Sequence, residues 1–170
     1  MSELFSIQLQ NRQQQGRDGV WLDLPTTTEQ VQAALQQIGI SSDNPQGLFI
    51  SGYFAEEEKR FATPYNMVLA SNVDELNFLA SRLETLSTGE RAELNAALQA
   101  PQSELFSIGR ITDFPENVDY YMHLPDVRGP AQLGDYYLNR SGMVDMPEEW
   151  KSGIDTAQFG RYVAQQEQGV

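Results

Sequence analysis

Apolar residues occupy every second position from 5 to 9 and again from 20 to 24, with mainly polar residues between them. Strict alternation places the apolar side chains on one face of a strand and the polar ones on the other. The polar residues between the two stretches include Gly16 and Gly19, which suit a turn. The pattern therefore predicts two antiparallel strands joined by a loop.

A helical pattern follows these strands. Thr26 and Glu29 have the spacing of a capping box, which predicts that a helix begins here. The apolar positions 31, 35 and 38 fall on one face of that helix, and Gly39 is expected to end it. A third strand is predicted over Leu48–Phe54. Residues 1–60 are therefore expected to form a small β-β-α-β domain.

The middle of the chain has a different pattern. Asn72 and Glu75 are placed to cap a helix, and the leucines at 76, 79, 83 and 86 define its buried face. Ser87 and Glu90 open another helix, which carries leucines at 94 and 98 and stops at Pro101. Residues 61–102 are therefore expected to form a helical middle domain.

Residues 103–170 are predicted to form a mixed α/β domain. A strand is expected over Val118–Leu124. Pro130 suits a first helical turn, and Gly142 is expected to stop that helix after it buries Leu133, Tyr136 and Tyr137. A last helix is predicted from Asp155 to Gln166, and its expected buried residues are Phe159, Tyr162 and Val163. The predicted fold is α+β, an elongated chain of three small domains.

One hexapeptide occurs twice, at residues 2–7 and 103–108. A repeat architecture requires similarity that is sustained at a fixed period. The residues that flank the two copies do not agree, so no internal repeat is predicted.

The charge of the chain restricts its partners. The formal net charge is -13, from 24 acidic and 11 basic residues. Proteins bind DNA mainly by neutralising phosphates with lysine and arginine, so neither nucleic acid nor an anionic membrane is an expected partner. The expected partners are proteins with basic surfaces. Acidity also serves solubility alone, and the absence of a long apolar run or a signal peptide leads us to expect a cytoplasmic protein.

Catalytic chemistry has little support in the sequence. There is no cysteine, and His123 is the only histidine, so a nucleophile-plus-base arrangement depends on that one residue. The 24 acidic residues nominate no catalytic pair. Asp113, Glu116 and Asp119 are three apart, but Pro115 interrupts any helix that would align them. No catalytic residue, metal site or cofactor is predicted.

Two stretches of the sequence resemble the ArdA family of antirestriction proteins. The first contains Asn11, then Gly19-Val20-Trp21-Leu22-Asp23-Leu24-Pro25, then Ile38-Gly39 and Phe49-Ile50. The second contains Leu133-Gly134-Asp135-Tyr136-Tyr137, Gly142, Met146-Pro147-Glu148-Glu149, Ile154-Asp155 and Phe159-Gly160-Arg161. They occur in the family's order and cover nearly the whole chain.

The resemblance implies a function and an architecture. It implies an elongated three-domain protein that forms a homodimer and is encoded on mobile elements such as conjugative transposons or plasmids. Its acidic side chains would imitate DNA phosphates and occupy the DNA groove of a type I restriction-modification enzyme. Leu133 to Pro147 matches the family's antirestriction motif, whose Leu133, Gly134, Tyr136, Tyr137 and Gly142 are interpreted as packing or dimer-contact residues.

Phosphate imitation requires exposed carboxylates, and the sequence nominates a distributed set of them. These are Glu56, Glu57, Glu58, Asp74, Glu75, Glu84, Glu90, Glu93, Asp113, Glu116 and Asp119, with Asp135 and Asp145 from the motif.

Two other functions remain open at this point. One is an acidic adaptor or regulator of a mobile element that binds a different basic protein. The other, an enzyme that uses paired carboxylates, has much less support.

Overall fold

The computed structural model describes residues 4–14, 18–41, 43–56, 65–100, 105–117 and 122–167. These residues fall into two compact units. The first unit contains the described residues up to 99 together with 105–117, and the second contains Ala100 and 122–167. The fold is mixed α+β, as the sequence predicted.

The first unit contains a three-stranded antiparallel sheet formed by β1 (Phe5–Asn11), β2 (Val20–Leu24) and β3 (Leu48–Phe54). The strand order is β2-β1-β3, so β1 lies in the centre. The alternating positions of β1 are buried on one face, as expected, with Ile7 opposite Leu22 of β2. The bounds predicted for the third strand are confirmed.

Helix α1 (Thr28–Gln37) connects β2 to β3, and its capping box lies one residue later than predicted. Thr27 is the N-cap, and Gln30 occupies the position assigned to Glu29. The backbone of Thr26 is instead bonded to Asn77 at both its N–H and its carbonyl, at 2.7 and 3.0 Å. Because that partner is distant in sequence, the local pattern could not distinguish the two threonines.

The remaining helices of the first unit include the predicted helical middle segment. The Asn72 side chain accepts a hydrogen bond from the Glu75 N–H at 2.8 Å, and Ser87 and Glu90 bond to each other reciprocally, so both predicted caps are confirmed. The helices are α2 (Tyr65–Leu69), α3 (Val73–Glu84), α4 (Thr88–Gln99), α5 (Ile108–Thr112) and α6 (Phe114–Asn117).

One hydrophobic core runs through the first unit. Leu9 from the sheet, Leu76 from α3 and Ile111 from α5 are all fully buried in it. Residues assigned by sequence to three different domains therefore share one core. The three-domain architecture, with breaks near residues 60 and 102, is not confirmed and stays a prediction.

The second unit is helical. Pro130 occupies the first turn as predicted, and Gly142 follows the end of the helix with φ at 71°. No strand occurs within residues 105–117 or 122–167. The strand predicted over Val118–Leu124 is therefore wrong at its C-terminal end, because Met122 and His123 are exposed and pair with no strand. Residues 118–121 lie outside the described part. The elements are α7 (Pro130–Asp135), a π-helical turn (Tyr136–Arg140), α8 (Glu148–Lys151) and α9 (Thr156–Gln166).

The buried faces of the second unit differ from the prediction. Gly134 and Leu138 are buried, whereas Leu133, Tyr136 and Tyr137 are only half-buried. On α9, Gly160 and Val163 are buried, Phe159 is half-buried, and Tyr162 is 60% exposed. Residues two apart on a helix do not share a face, so a face centred on Gly160 points Tyr162 away.

None of the helices in the described part of the chain is both long and apolar enough to cross a membrane.

Candidate protein-binding surface

Gly134 of the motif lies where α7 crosses α9, opposite Gly160. A Cβ atom on Gly134 would lie 1.9 Å from the carbonyl oxygen of Thr156, and one on Gly160 would lie 1.7 Å from that of Pro130. Both distances are far below van der Waals contact, so only hydrogen atoms fit between these backbones. The glycine of the motif is therefore required by helix packing.

One carboxylate of the motif, that of Asp135, is paired within its own helical segment. Arg140 donates a hydrogen bond to the carboxylate of Asp135 at 3.2 Å, and Asn139 donates another at 2.8 Å. The guanidinium of Arg140 also lies 5.9 Å from the ring centroid of Tyr136. A π-helical turn brings residues five apart closer to one face than an α-helix does, which suits this pairing. The field of Asp135 is therefore partly neutralised.

The two tyrosines of the motif form an edge-to-face pair with ring centroids 5.6 Å apart. Burial raises the pKa of the Tyr137 phenol, and the carboxylate of Glu167 and the neighbouring Tyr136 add to the rise. The phenol of Tyr137 is therefore protonated at neutral pH and remains a hydrogen-bond donor.

The nominated carboxylates of α3 and α4 differ in exposure. Asp74 and Glu75 are exposed in the first turn of α3, where the positive end of the helix dipole favours negative charge. Glu84, Glu90 and Glu93 are half-buried. The side chain and backbone of Ser87 hold the pKa of Glu90 below its usual range, so Glu90 is charged at neutral pH.

The remaining nominated carboxylates fall into three groups. Glu56, Asp113 and Asp145 are exposed. Glu116 is also exposed, but it forms a 2.8 Å ion pair with Arg82 of α3, which supplies an opposing charge. Glu57, Glu58 and Asp119 lie outside the described residues. Elsewhere, no group of three or more histidine and carboxylate side chains in the described residues is arranged to hold a metal ion.

The sequence profile of the family described as antirestriction protein (ArdA) matches residues 15–170. The chain belongs to the ArdA family. This confirms the resemblance found in the sequence and identifies the chain as a member of a family of antirestriction proteins. No individual curated protein matches the chain.

The other stretch of ArdA resemblance is also held together by internal contacts. Asn11, a buried residue, donates a hydrogen bond from its side-chain amide to the Ile38 carbonyl at 3.0 Å. Its amide oxygen accepts one from the N–H of Gln13 at 2.9 Å. Asn11 thus joins the end of β1 to the end of α1. Both stretches therefore contain residues whose visible role is to position backbone.

The sequence prediction missed an exposed pair of aromatic residues on the sheet of this ArdA protein. Trp21 is 50% exposed and Phe54 is 59% exposed, and both lie on the face turned away from the core. A signal was present, because Trp21 occupies a position that the alternation of β2 assigns to the polar face. We refer to Trp21 and Phe54 as the aromatic patch.

Proposed function

We propose that this protein inhibits type I restriction-modification enzymes by occupying their DNA-binding groove with its carboxylates. The observation that carries the proposal is the exposed acidic set on the first unit, represented by Asp74, Glu75 and Asp113, in a chain that belongs to an antirestriction family. Double-stranded DNA presents one negative charge per about 1.7 Å of its axis. A groove that binds DNA is therefore cationic and attracts carboxylates held on a folded surface.

The same mechanism explains how one inhibitor acts on enzymes of different sequence specificity. Contacts to phosphates position a protein on DNA, whereas contacts to base edges read the sequence. A protein that imitates phosphates alone needs no match to any sequence. Restriction enzymes that differ in recognition sequence are therefore expected to be inhibited similarly.

The ion pairs divide the nominated carboxylates into stronger and weaker contributors. Glu116 and Asp135 each face an arginine of this chain, so a cationic groove must compete with that arginine for them. Asp74, Glu75, Asp113 and Asp145 are exposed. We expect them to contribute more. The roles of Glu57, Glu58 and Asp119 stay predictions.

The test is competition with a labelled DNA duplex for a purified type I methyltransferase core, measured by fluorescence anisotropy over a salt series. We expect the protein to displace the DNA, with an affinity that falls steeply as salt rises, because surface charges are screened. Displacement that leaves DNA cleavage by the complete restriction enzyme unchanged in a parallel assay, or no displacement at molar excess, would overturn the proposal. In the second case, the adaptor function becomes the better explanation of the acidic surface.

Single neutralisations are expected to have small effects, since exposed charge pairs are worth about 0 to 1 kcal/mol each. Four together, at about 0.5 kcal/mol each, would weaken binding about 30-fold. The test variant carries Asp74→Asn, Glu75→Gln, Asp113→Asn and Asp145→Asn, all at exposed positions. A control with the same change in charge carries Asp18→Asn, Asp43→Asn, Asp126→Asn and Glu149→Gln, all at exposed positions. Equal losses in the two variants would show that net charge alone matters.

The homodimer implied by the resemblance stays a prediction. Light scattering coupled to gel filtration gives the molar mass directly, and a monomer would be 19.1 kDa. A monomeric protein that still displaces DNA would separate inhibition from dimer formation.

A further inference from the structure

The side chain of Trp21 reaches from one edge of the sheet to the other. Trp21 of β2 is opposite Gln8 of the central strand, and Gln8 is opposite Gly52 of β3. A Cβ atom on Gly52 would lie 3.1 Å from Cη2 of the Trp21 indole. The absence of a side chain at Gly52 therefore leaves the space that the indole occupies.

Phe54 extends this aromatic surface along β3. It lies two residues beyond Gly52, so it is on the same face of the strand, and it is opposite Ser6 of β1. Trp21 and Phe54 are both at least half exposed. Aromatic residues are enriched at the centres of protein interfaces, where they provide large contact area with few rotatable bonds.

The surroundings of the aromatic patch are acidic. Asp23 lies in the same cross-strand row as Ser6 and Phe54, and it accepts a hydrogen bond from the Ser6 hydroxyl at 2.6 Å. Glu56 is exposed just beyond the end of β3. No lysine, arginine or histidine occurs between Asp18 and Glu56 in the sequence. Arg12 reaches this face at the opposite end of β1 from Phe54, where its guanidinium lies over Phe49. The partner that fits this face is therefore cationic.

The protein already makes one contact of the type that such a partner would make. The guanidinium of Arg12 lies 5.3 Å from the ring centroid of Phe49. Phe49 is opposite Gln10 of β1, on the same face of the sheet as Gly52 and Phe54. Arginine and lysine are attracted to the faces of aromatic rings, and tryptophan is the best acceptor. An arginine that stacks on Trp21 would have the carboxylate of Asp23 on the same strand.

We propose that the aromatic patch, Trp21 and Phe54, binds cationic side chains in the DNA-binding surface of the restriction-modification enzyme. The identity of this partner rests on the function proposed above. The patch supplies localised contact area, whereas the carboxylates supply charge that is distributed over the surface. The two contributions differ in their response to salt, because screening acts mainly on net charges and the aromatic side chains carry none.

The experiment repeats the DNA competition with Trp21→Ala and Phe54→Ala. Each is expected to weaken binding at least 10-fold, as interface aromatics do when they are truncated, and to leave the slope of affinity against salt unchanged. The matched control is Tyr162→Ala, because Tyr162 is 60% exposed, like Phe54, and lies on α9, which carries none of the nominated carboxylates. That variant is expected to bind within twofold of wild type.

Two further variants guard against misfolding. Trp21→Phe keeps an aromatic ring and is expected to recover most of the affinity that Trp21→Ala loses. Gly52→Ala leaves both aromatics in place but puts a methyl group 3.1 Å from both the indole and the Gln8 side chain, so the indole must shift. It is therefore expected to weaken binding while far-UV circular dichroism stays unchanged. If Trp21→Ala unfolds, Phe54→Ala with Gly52→Ala decides the outcome.

The possible failures are distinguishable. If wild type displaces DNA and the variants of the patch bind as tightly as Tyr162→Ala, the patch makes no contact and this inference is overturned alone. If wild type does not displace DNA, the proposed function is overturned, and with it the partner named for the patch.

Discussion

The two compact units of the protein are stabilised in opposite ways. The first contains a core of large aliphatic side chains, among them Leu9, Leu76 and Ile111. Among residues 122–167 of the second, the buried hydrophobic side chains are Leu138 and Val163, and α7 meets α9 at two glycines. The first unit therefore depends on apolar surface removed from water, and the second depends on close approach of two backbones. The stability of the first unit is therefore expected to fall when buried atoms are removed, and that of the second when atoms are added between the helices.

The largest effect is expected from adding one methyl group to the second unit. In Gly160→Ala, the Cβ would meet the Pro130 carbonyl oxygen at 1.7 Å and the backbone N of Gly134 at 2.8 Å. Because both obstacles are backbone, the helices must separate, at a cost above about 3 kcal/mol, the upper end of the usual range for overpacking. Hydrogen exchange should show lost protection in α7 and α9, with α3 still protected.

The control for this change is Gly153→Ala, also in the second unit. Its Cβ would have the Trp150 carbonyl oxygen at 3.5 Å as its nearest neighbour, which is an ordinary contact. The free energy of unfolding is expected to change by less than about 0.5 kcal/mol. Loss of protection in this control, or normal protection in Gly160→Ala, would contradict the contrast between the units.

The next largest effect is expected from removing atoms in the first unit. Leu76→Ala deletes part of a fully buried side chain and is expected to cost about 3 kcal/mol, within the range measured for buried leucines. Urea unfolding followed by circular dichroism gives the free energy, and hydrogen exchange locates the loss. Protection should fall in β1 and α3 together, because their side chains share one core. A loss confined to the helices would instead favour the separate helical domain predicted from the sequence.

The smallest effect concerns the pH dependence of the first unit. The hydroxyl and backbone N–H of Ser87 lower the pKa of Glu90 in the folded state. A lowered pKa contributes stability above the unfolded pKa, about 4.3 for glutamate, and that contribution is lost as pH falls through the folded pKa. The stability advantage of wild type over Glu90→Gln is therefore expected to shrink between pH 6 and pH 3. An advantage that grows towards acid would contradict the assignment.

The sequence predicted the regular elements well where the information was local. The alternation at positions 5 to 9 and 20 to 24 gave two of the strands. Asn72 and Ser87 each act on backbone only three residues away, so their caps could be recognised directly. The acidic character and the family resemblance were also evident in the order of residues.

The repeated hexapeptide shows where local information ends. Leu4 to Ile7 enters β1, with Phe5 buried, whereas the same residues from 105 to 108 lead into α5. There Ser107 caps the helix by accepting from the Arg110 N–H, and Phe106 is 68% exposed. Both copies bury their leucine and isoleucine in one core. The different neighbours of each copy therefore decide between strand and helix.

The candidate site was predicted less well than the elements. The sequence nominated carboxylates by type and could not reveal that Glu116 faces Arg82, which lies 34 residues earlier. The alternation of β2 did assign Trp21 to the polar face, but it could not show that Gly52 of β3 leaves room for the indole. The exposure of a side chain and its ion-pair partners depend on which helix and sheet faces pack together, and local sequence patterns do not specify that packing.

By itself, the sequence determined the acidic charge, the three strands of the sheet, the helix caps at Asn72 and Ser87, and the family, because each depends on composition or on residues close together in the chain. Tertiary structure alone decided the crossing of Gly134 with Gly160, the bonds between Thr26 and Asn77, and the space that Gly52 leaves for Trp21. Each of these contacts joins segments far apart in sequence. Each therefore exists only after the elements have packed, when the backbone positions fix which side chains have room and which have partners.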